Sequence, residues 1–438
     1  MRLRTLGISV SCFLLALSAN AQPAPAQPVP APLPELATAQ PSEVGLSEAR
    51  LQRMSDHFEA MVERGEIAGA LGMIARHGKV AYVDTWGDQK EDVAMTEDTL
   101  FRIYSMTKPI TSAAVLMLYE EGHFLLKDPV SKFLPELTDL QVLLEVEDPE
   151  TGEIEEVREP AKREITIRDL LSHRSGMTYG FFGDSAVDKA YREKGILGEE
   201  SLAEMITHLG ELPLVAHPGE SWQYGVSTDV LGRLVEVVSD QRFGEFLEER
   251  IFKPLGMNDT AFTVSDADLT RFSELYVQQG RDGEPAPDTA SVHRLSPAGE
   301  RYLRPFRPDG LRFESGGGGL VSTADDFMRF CLMLLNGGEL NGVRLLSRKT
   351  VELMRTSHVD ELPWPGYGFG LGGSVLTDLG EVGELGSVGE FSWGGMAGTS
   401  FWIDPQENLA AVFMIQILPH NNRFQNDFHM LTYQSIVD

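Results

Sequence analysis

A chain of 438 residues with 42% hydrophobic content can bury one large core or two moderate ones. Its formal net charge of −29 makes nucleic acid a poor partner, because phosphate binding needs clustered Lys and Arg. Acidity on this scale speaks to solubility and names no substrate.

Taken in chain order, Arg2 and Arg4 precede an apolar stretch from Leu6 to Leu17, followed by Ala19-Asn20-Ala21. This is the pattern of a secretory signal over residues 1–21, cut after Ala21, and it predicts a periplasmic or secreted protein. A membrane anchor or a buried helix is the alternative, but the run is too short to span a bilayer comfortably. Once the signal is removed, no stable membrane insertion is expected. Cys12 lies inside the signal, so Cys331 is the only thiol of the mature chain and no internal disulfide can form. Export without disulfides suits a bacterial periplasm. Residues 22–44 begin with a Pro/Ala-rich run, QPAPAQPVPAP, that predicts an extended, unpacked tether.

Folded structure is expected from about residue 45, where Ser47 can cap a helix carrying Leu51, Met54, Phe58 and Met61 at helical spacing. GALGMIA and VAYVDTW then flank His77-Gly78-Lys79 and read as an antiparallel hairpin. In FRIYSMTKPITSA (101–113), Pro109 is tolerable only in the first turn of a helix. Ser105 therefore falls at the start of a helix, with Lys108 one turn later on the same face. The pattern stays mainly helical to about residue 255, broken by an acidic hairpin in LEVEDPETGEIEEVREP (144–160). YGFGLGGSVL, GEFSWGGMAGTSFWIDP and LAAVFMIQIL read as closing strands. The fold class predicted is α/β (α+β): one mixed antiparallel sheet flanked by helices and built from both chain ends. Its α/β part spans about 45–115 and 290–438, and an inserted, mainly helical part spans about 116–289.

Three stretches carry candidate chemistry. Ser105 and Lys108 can serve as nucleophile and base, although the pair alone also fits a capping serine beside a solvated lysine. Tyr224, in PGESWQYGVSTDVLGRLVE (218–236), falls on a loop leading into a helix, where a core or surface tyrosine is the alternative. Gly394 and Gly395 sit at a strand edge; glycine there marks either a bulge or close approach of a ligand. Tyr179, Phe181 and Phe182 form an aromatic cluster that can wall an acyl pocket or belong to the core.

Together these stretches resemble the serine β-lactamase and penicillin-binding superfamily, in its class C-like branch and closest to the family VIII carboxylesterases. Ser105-Met106-Thr107-Lys108 matches the Ser-x-x-Lys box. Tyr224-Gly225-Val226 stands where Tyr-x-Asn is expected, and Trp393-Gly394-Gly395 where Lys-Thr-Gly is expected, in the tryptophan form of the esterases. The resemblance covers residue 45 to the C-terminus, including LLSHRSGMTYGFFGD, LEERIFKPLGMNDTAF and SGGGGLVSTADDFMRF. It implies a catalytic domain over 45–438 that cleaves small-molecule carboxylic esters through an acyl-Ser105 intermediate. Lys108 and Tyr224 would relay the proton, and the Ser105 and Met396 N–H groups would form the oxyanion hole. Trp393, Gly394, Gly395, Tyr179, Phe181 and Val226 would contact substrate, with no metal and no other cofactor. A β-lactamase, a D-Ala-D-Ala peptidase, an acyltransferase and a silent cell-wall-fragment binder are the alternatives. Val226 and Trp393 replace polar groups that hold a lactam, and leaving its buried polar atoms unmatched costs about 1–3 kcal/mol each.

Competing motifs are missing. The chain has no Gly-x-Ser-x-Gly elbow and no His-Glu-x-x-His pair, so His173 and His217 are read as loop or capping groups. Gly316–Gly319 lacks a following Gly-Lys-Ser/Thr and is read as a tight turn before a helix capped by Thr323.

Overall fold

Gly69–Arg76 (β1) and Lys79–Lys90 (β2) pair antiparallel across a two-residue turn, His77-Gly78. Both turn residues have positive φ, 54° and 75°, the geometry whose twist matches the flanking strands. Every residue of β1 is buried, because the sheet is covered on both faces. Alternate side chains divide between two cores. Ala70 and Ile74 join Leu51, Met54, Phe58 and Met61 of helix α1 (Glu48–Glu63), as the spacing of those four predicts. Leu71, Met73 and Ala75 face the larger core of the helical middle.

The computed structural model describes residues 34–438, apart from 280–293, 298–305 and single positions 148, 150, 153, 199, 307, 308, 312, 361 and 421. The expected signal over 1–21 and most of the Pro/Ala-rich tether lie outside the described residues. The end of the tether departs from expectation. Val80 N–H donates to Ala37 O, Ala39 N–H donates to Val80 O, and Leu36 packs on the core. The cause is local: Val80 has main-chain groups free on the outer side of β2, and a nearby extended segment satisfies them.

Val93–Ala94 (β3) extends the sheet beyond β2. Five strands from the other end of the chain complete it: Tyr367–Phe369 (β4), Ser374–Leu376 (β5), Phe391–Gly394 (β6), Ser400–Asp404 (β7) and Leu409–Ile415 (β8). Their order is β4-β5-β6-β7-β8-β1-β2-β3, with neighbours antiparallel, and β8 joins the two chain ends in the register Ala70↔Ile415 to Arg76↔Leu409. All of β8 is buried, as its continuous apolar run requires. The hairpin expected around 144–160 is present, pairing Gln141–Glu147 with Ile154–Pro160.

Helix α2 (Thr107–Glu120) runs through the larger core, buried continuously from Thr107 to Leu118. Ile110, Ala114 and Val115 share that core with Val230, Leu231 and Leu234 of α3 (Ser227–Ser239) and with Phe327 and Phe330 of α4 (Ala324–Leu335). The Thr323 hydroxyl accepts from Asp326 N–H at 3.2 Å and caps α4 as expected. Helix α5 (Asn422–Tyr433) lays Phe424 and Phe428 on the α1 face. The start of α2 thereby comes to face the end of β6.

Candidate active site

Ser105 lies in a short 3-10 turn, Tyr104–Met106, immediately before α2. Pro109 occupies the third position of α2, where its missing N–H goes unneeded. Tyr104 adopts φ 42°, a left-handed conformation that costs a bulky residue energy and that folds retain mainly at functional sites. Ser105 caps nothing. Its Oγ stands 3.1 Å from Lys108 Nζ and 2.8 Å from the Tyr224 hydroxyl.

Lys108 is 0% exposed. Besides Ser105 Oγ, its Nζ donates to Gly317 O at 2.7 Å and to the Tyr179 hydroxyl at 3.0 Å. Three neighbours match an ammonium, which has three N–H groups. They match the neutral amine equally well: two N–H groups serve Gly317 and Tyr179, and the lone pair turns to the Ser105 O–H. The cradle can thus hold either side of a proton transfer without leaving a buried polar group unmatched.

Tyr179 differs from its expected role as a pocket wall, since its hydroxyl faces Lys108. Burial, with the Asp229 charge adding to it, pushes that phenol well above the usual tyrosine range, so it stays protonated. Phe181 stacks on Tyr179 with centroids 5.2 Å apart and is half exposed, whereas the adjacent Phe182 lines the cleft. Val226 is also displaced from its expected role. It is the N-cap position of α3, fully buried in the larger core, and does not line the cleft. An apolar residue there is pulled inward by the same face that seats Val230 and Leu234.

Tyr224 precedes α3 on a loop pinned from below. Gln223 N–H donates to His173 O at 2.7 Å, and the His173 ring packs 5.0 Å from that of Tyr224. His173 itself has φ 54°, and burial followed by the Lys108 charge holds its imidazole well below the ordinary range, hence neutral. His217 sits apart, with Nε2 on Glu159 at 2.8 Å, as a loop group should.

On the opposite wall Trp393 leans on Tyr224 and Phe369, with centroids 5.6 and 5.2 Å away. A β-carbon on Gly395 would stand 2.5 Å from Ile103 O, so only glycine lets the end of β6 close against the turn that carries Ser105. Met396 follows, 41% exposed. Between these walls opens a cleft of about 950 Å³, lined by Ser105, Tyr224, Phe182, Trp222, Trp364 and Trp393, with Gly394, Gly395 and Met396 at the strand end.

Two contributors were missed by sequence reasoning. Gly317 was read as part of a turn, yet its carbonyl holds Lys108. Asp229 was not singled out, yet it is 0% exposed and its carboxylate accepts from Gly317 N–H at 3.0 Å. Its place in the first turn of the helix, five residues after Tyr224, was the available signal.

A β-lactamase family model matches residues 54–433. Protein Rv1367c of Mycobacterium tuberculosis is 36% identical over 372 residues, 82% of this chain and 88% of its own. Esterase EstB of Burkholderia gladioli is 30% identical over 397 residues, 86% of this chain and 93% of its own. Among solved structures, EstCE1, a hydrolase with promiscuous acyltransferase activity, superposes with TM-score 0.73 at 27% identity, covering 88% of this chain and 99% of that one. Unliganded simvastatin synthase from Aspergillus terreus, as its selenomethionyl derivative, gives 0.72 at 26% identity, covering 89% and 98%. The turn that carries Ser105, the facing strand and these matches lead to one assignment: the chain belongs to the β-lactamase family, within the serine β-lactamase and penicillin-binding superfamily that includes esterases.

Proposed function

We propose that this protein is a serine hydrolase that cleaves neutral carboxylic esters through an acyl-Ser105 intermediate. The observation that carries the reading is that Lys108 Nζ and the Tyr224 hydroxyl stand within hydrogen-bonding reach of Ser105 Oγ at once, at 3.1 and 2.8 Å. A serine hydroxyl is a weak nucleophile until a base takes its proton. Neutral Lys108 receives that proton as Oγ attacks the ester carbonyl. Tyr224, on the cleft side of Oγ, passes a proton to the departing alcohol. The N–H groups of Ser105 and Met396 stabilise the oxyanion, a contribution worth about 100- to 1000-fold in rate per donor. Water then releases the acid through the same relay run in reverse.

Choice of ester over lactam rests on the two positions that depart from the lactam-binding pattern. Trp393 gives the cleft an aromatic wall where a lysine would hold a carboxylate, and Val226 is turned into the core. Acyl transfer is the second reading, supported by relatives named as acyltransferases and by a cleft of about 950 Å³ that has room for an alcohol in place of water. Export is part of the proposal and is checked by the N-terminus of the mature protein, expected at Gln22.

The direct test is turnover of a p-nitrophenyl butyrate-type ester, and labelling by a fluorophosphonate, for wild type and Ser105→Ala. Equal turnover by both proteins would show that Ser105 is not the nucleophile. Nitrocefin and a D-Ala-D-Ala peptide run in parallel should be turned over far more slowly than the ester. Release of ester product to added alcohol rather than water separates transfer from hydrolysis.

A further inference from the structure

Behind Lys108 lies a carboxylate that the ester reading does not use. Asp229 is 0% exposed in the first turn of α3. Its Oδ1 accepts from the Ser315 hydroxyl at 2.5 Å and from Gly317 N–H at 3.0 Å. Its Oδ2 has no partner among the described residues. The same Gly317 offers its carbonyl to Lys108 at 2.7 Å. A β-carbon on Gly317 would stand 2.5 Å from Asp229 Oδ2 and 2.7 Å from the Tyr179 hydroxyl, so the carboxylate and the phenol close on one face of this glycine.

Resting on the Ser105 chemistry above, we propose that Asp229 is the positioning residue of the proton transfer: it fixes Gly317 against Lys108 and supplies the counter-charge that appears when Lys108 carries the Ser105 proton. The proton moves from Ser105 Oγ to Lys108 Nζ and onward to the leaving alcohol, and Asp229 forms and breaks no covalent bond. Of the groups facing Lys108, Ser105, Tyr179, Tyr224 and His173 are neutral at working pH in this scheme, which leaves Asp229 as the charged neighbour. The groups facing Asp229 are Ser315, Lys108, Tyr179 and the Gly317 N–H. Burial drives the Asp229 carboxyl upward from its ordinary range, while Ser315, Lys108 and Gly317 draw it back. Loss of the Lys108 charge and uptake of a proton by Asp229 therefore favour each other.

The test uses the full chain and Asp229→Asn, which keeps an acceptor for Ser315 and Gly317 but no charge. Removing the anion makes the ammonium less stable, so Lys108 gives up its proton at lower pH. The acid limb of the fluorophosphonate labelling rate should move down by about one pH unit. The Lys108 signal in ε-¹³C-lysine NMR, assigned with Lys108→Arg, should move with it. An unmoved limb and titration, with only a slower rate or a lower melting temperature, would reduce Asp229 to a structural role and overturn the inference. Absence of Ser105 labelling in wild type would instead sink the ester reading, and the NMR shift would still decide the Asp229–Lys108 coupling. Should Asp229→Asn not fold, Lys108→Met supplies the second arm. Its infrared difference spectrum against wild type near neutral pH should show a new protonated-carboxyl band, and no new band overturns the proposal.

Discussion

The cleft has two unlike ends. At the inner end, four separate segments close around one amine: the turn before α2, the Tyr179 loop, the Tyr224 loop through its ring, and the glycine run at 316–319. Lys108 there is wholly enclosed, and its three contacts are backed by Asp229 through Gly317. At the outer end the walls are aromatic and open: Phe182 is 63% exposed and Trp364 37%. On that side Glu390 accepts from the Tyr433 hydroxyl at 2.5 Å and pairs with His429 at 3.1 Å, tying α5 to the sheet. The proposed proton transfer tolerates little displacement, and the inner groups are over-determined by packing and hydrogen bonds. Shape recognition by aromatic surface tolerates more, and can be left to loops.

If that contrast is right, substitutions at the two ends should separate in kinetics. Lys108→Ala removes the proposed base and should lower kcat by about 1000-fold or more, within the range of general-base effects. A loss under tenfold in ester turnover would move the chemistry away from the inner end. Gly317→Ala leaves every reacting group in place but drives a methyl group into Asp229 and the Tyr179 hydroxyl. It should cost about 100-fold in kcat by displacing the Lys108 acceptor. Phe182→Ala, at the outer end, should raise KM about threefold to tenfold for an aromatic ester and leave kcat nearly unchanged. Equal kcat losses in Gly317→Ala and Phe182→Ala would erase the distinction.

The two ends also differed in how far the sequence disclosed them. Ser105, Lys108 and the helix start could be located because Pro109 restricts where a helix begins, a local rule that needs no tertiary information. The β1–β2 hairpin and the continuous apolar run of β8 were legible for the same reason: their periods are written in adjacent residues. Gly317 and Asp229 were not, because their roles depend on a carbonyl and a carboxylate meeting Lys108 across 209 and 121 positions of chain, read from 317 − 108 and 229 − 108. Tyr179 and Val226 show the same limit from the other side. Their residue types announced an aromatic wall and a cleft contact, but which way each side chain faces is set by packing against α2 and α3.

A third region, outside the lining of the cleft, provides the control that pH arguments about the inner end need. Asp326 in the first turn of α4 accepts from Asp259 N–H at 2.7 Å and from the Thr260 hydroxyl at 2.8 Å, both on Oδ2. Burial pushes its carboxyl up to about 7, against those bonds, and the Asp259 and Asp325 charges add to the rise. An unfolded aspartate titrates near about 3.9. Between those values the folded protein binds the extra proton, so this stabilisation is complete below about pH 4 and is lost as pH rises to about 7. Asp326→Asn holds the neutral form permanently: its side-chain carbonyl can accept both bonds. Relative to wild type, the variant should gain on the order of a few kcal/mol between pH 4 and 8, seen as a melting temperature that rises against wild type by roughly 5 °C. Its labelling rate at Ser105 should keep the wild-type pH limb. A shifted limb in this variant would mean that the acid limb reports the stability of the α4 region and not the charge on Lys108, and the contrast between the two ends of the cleft would then need another measure.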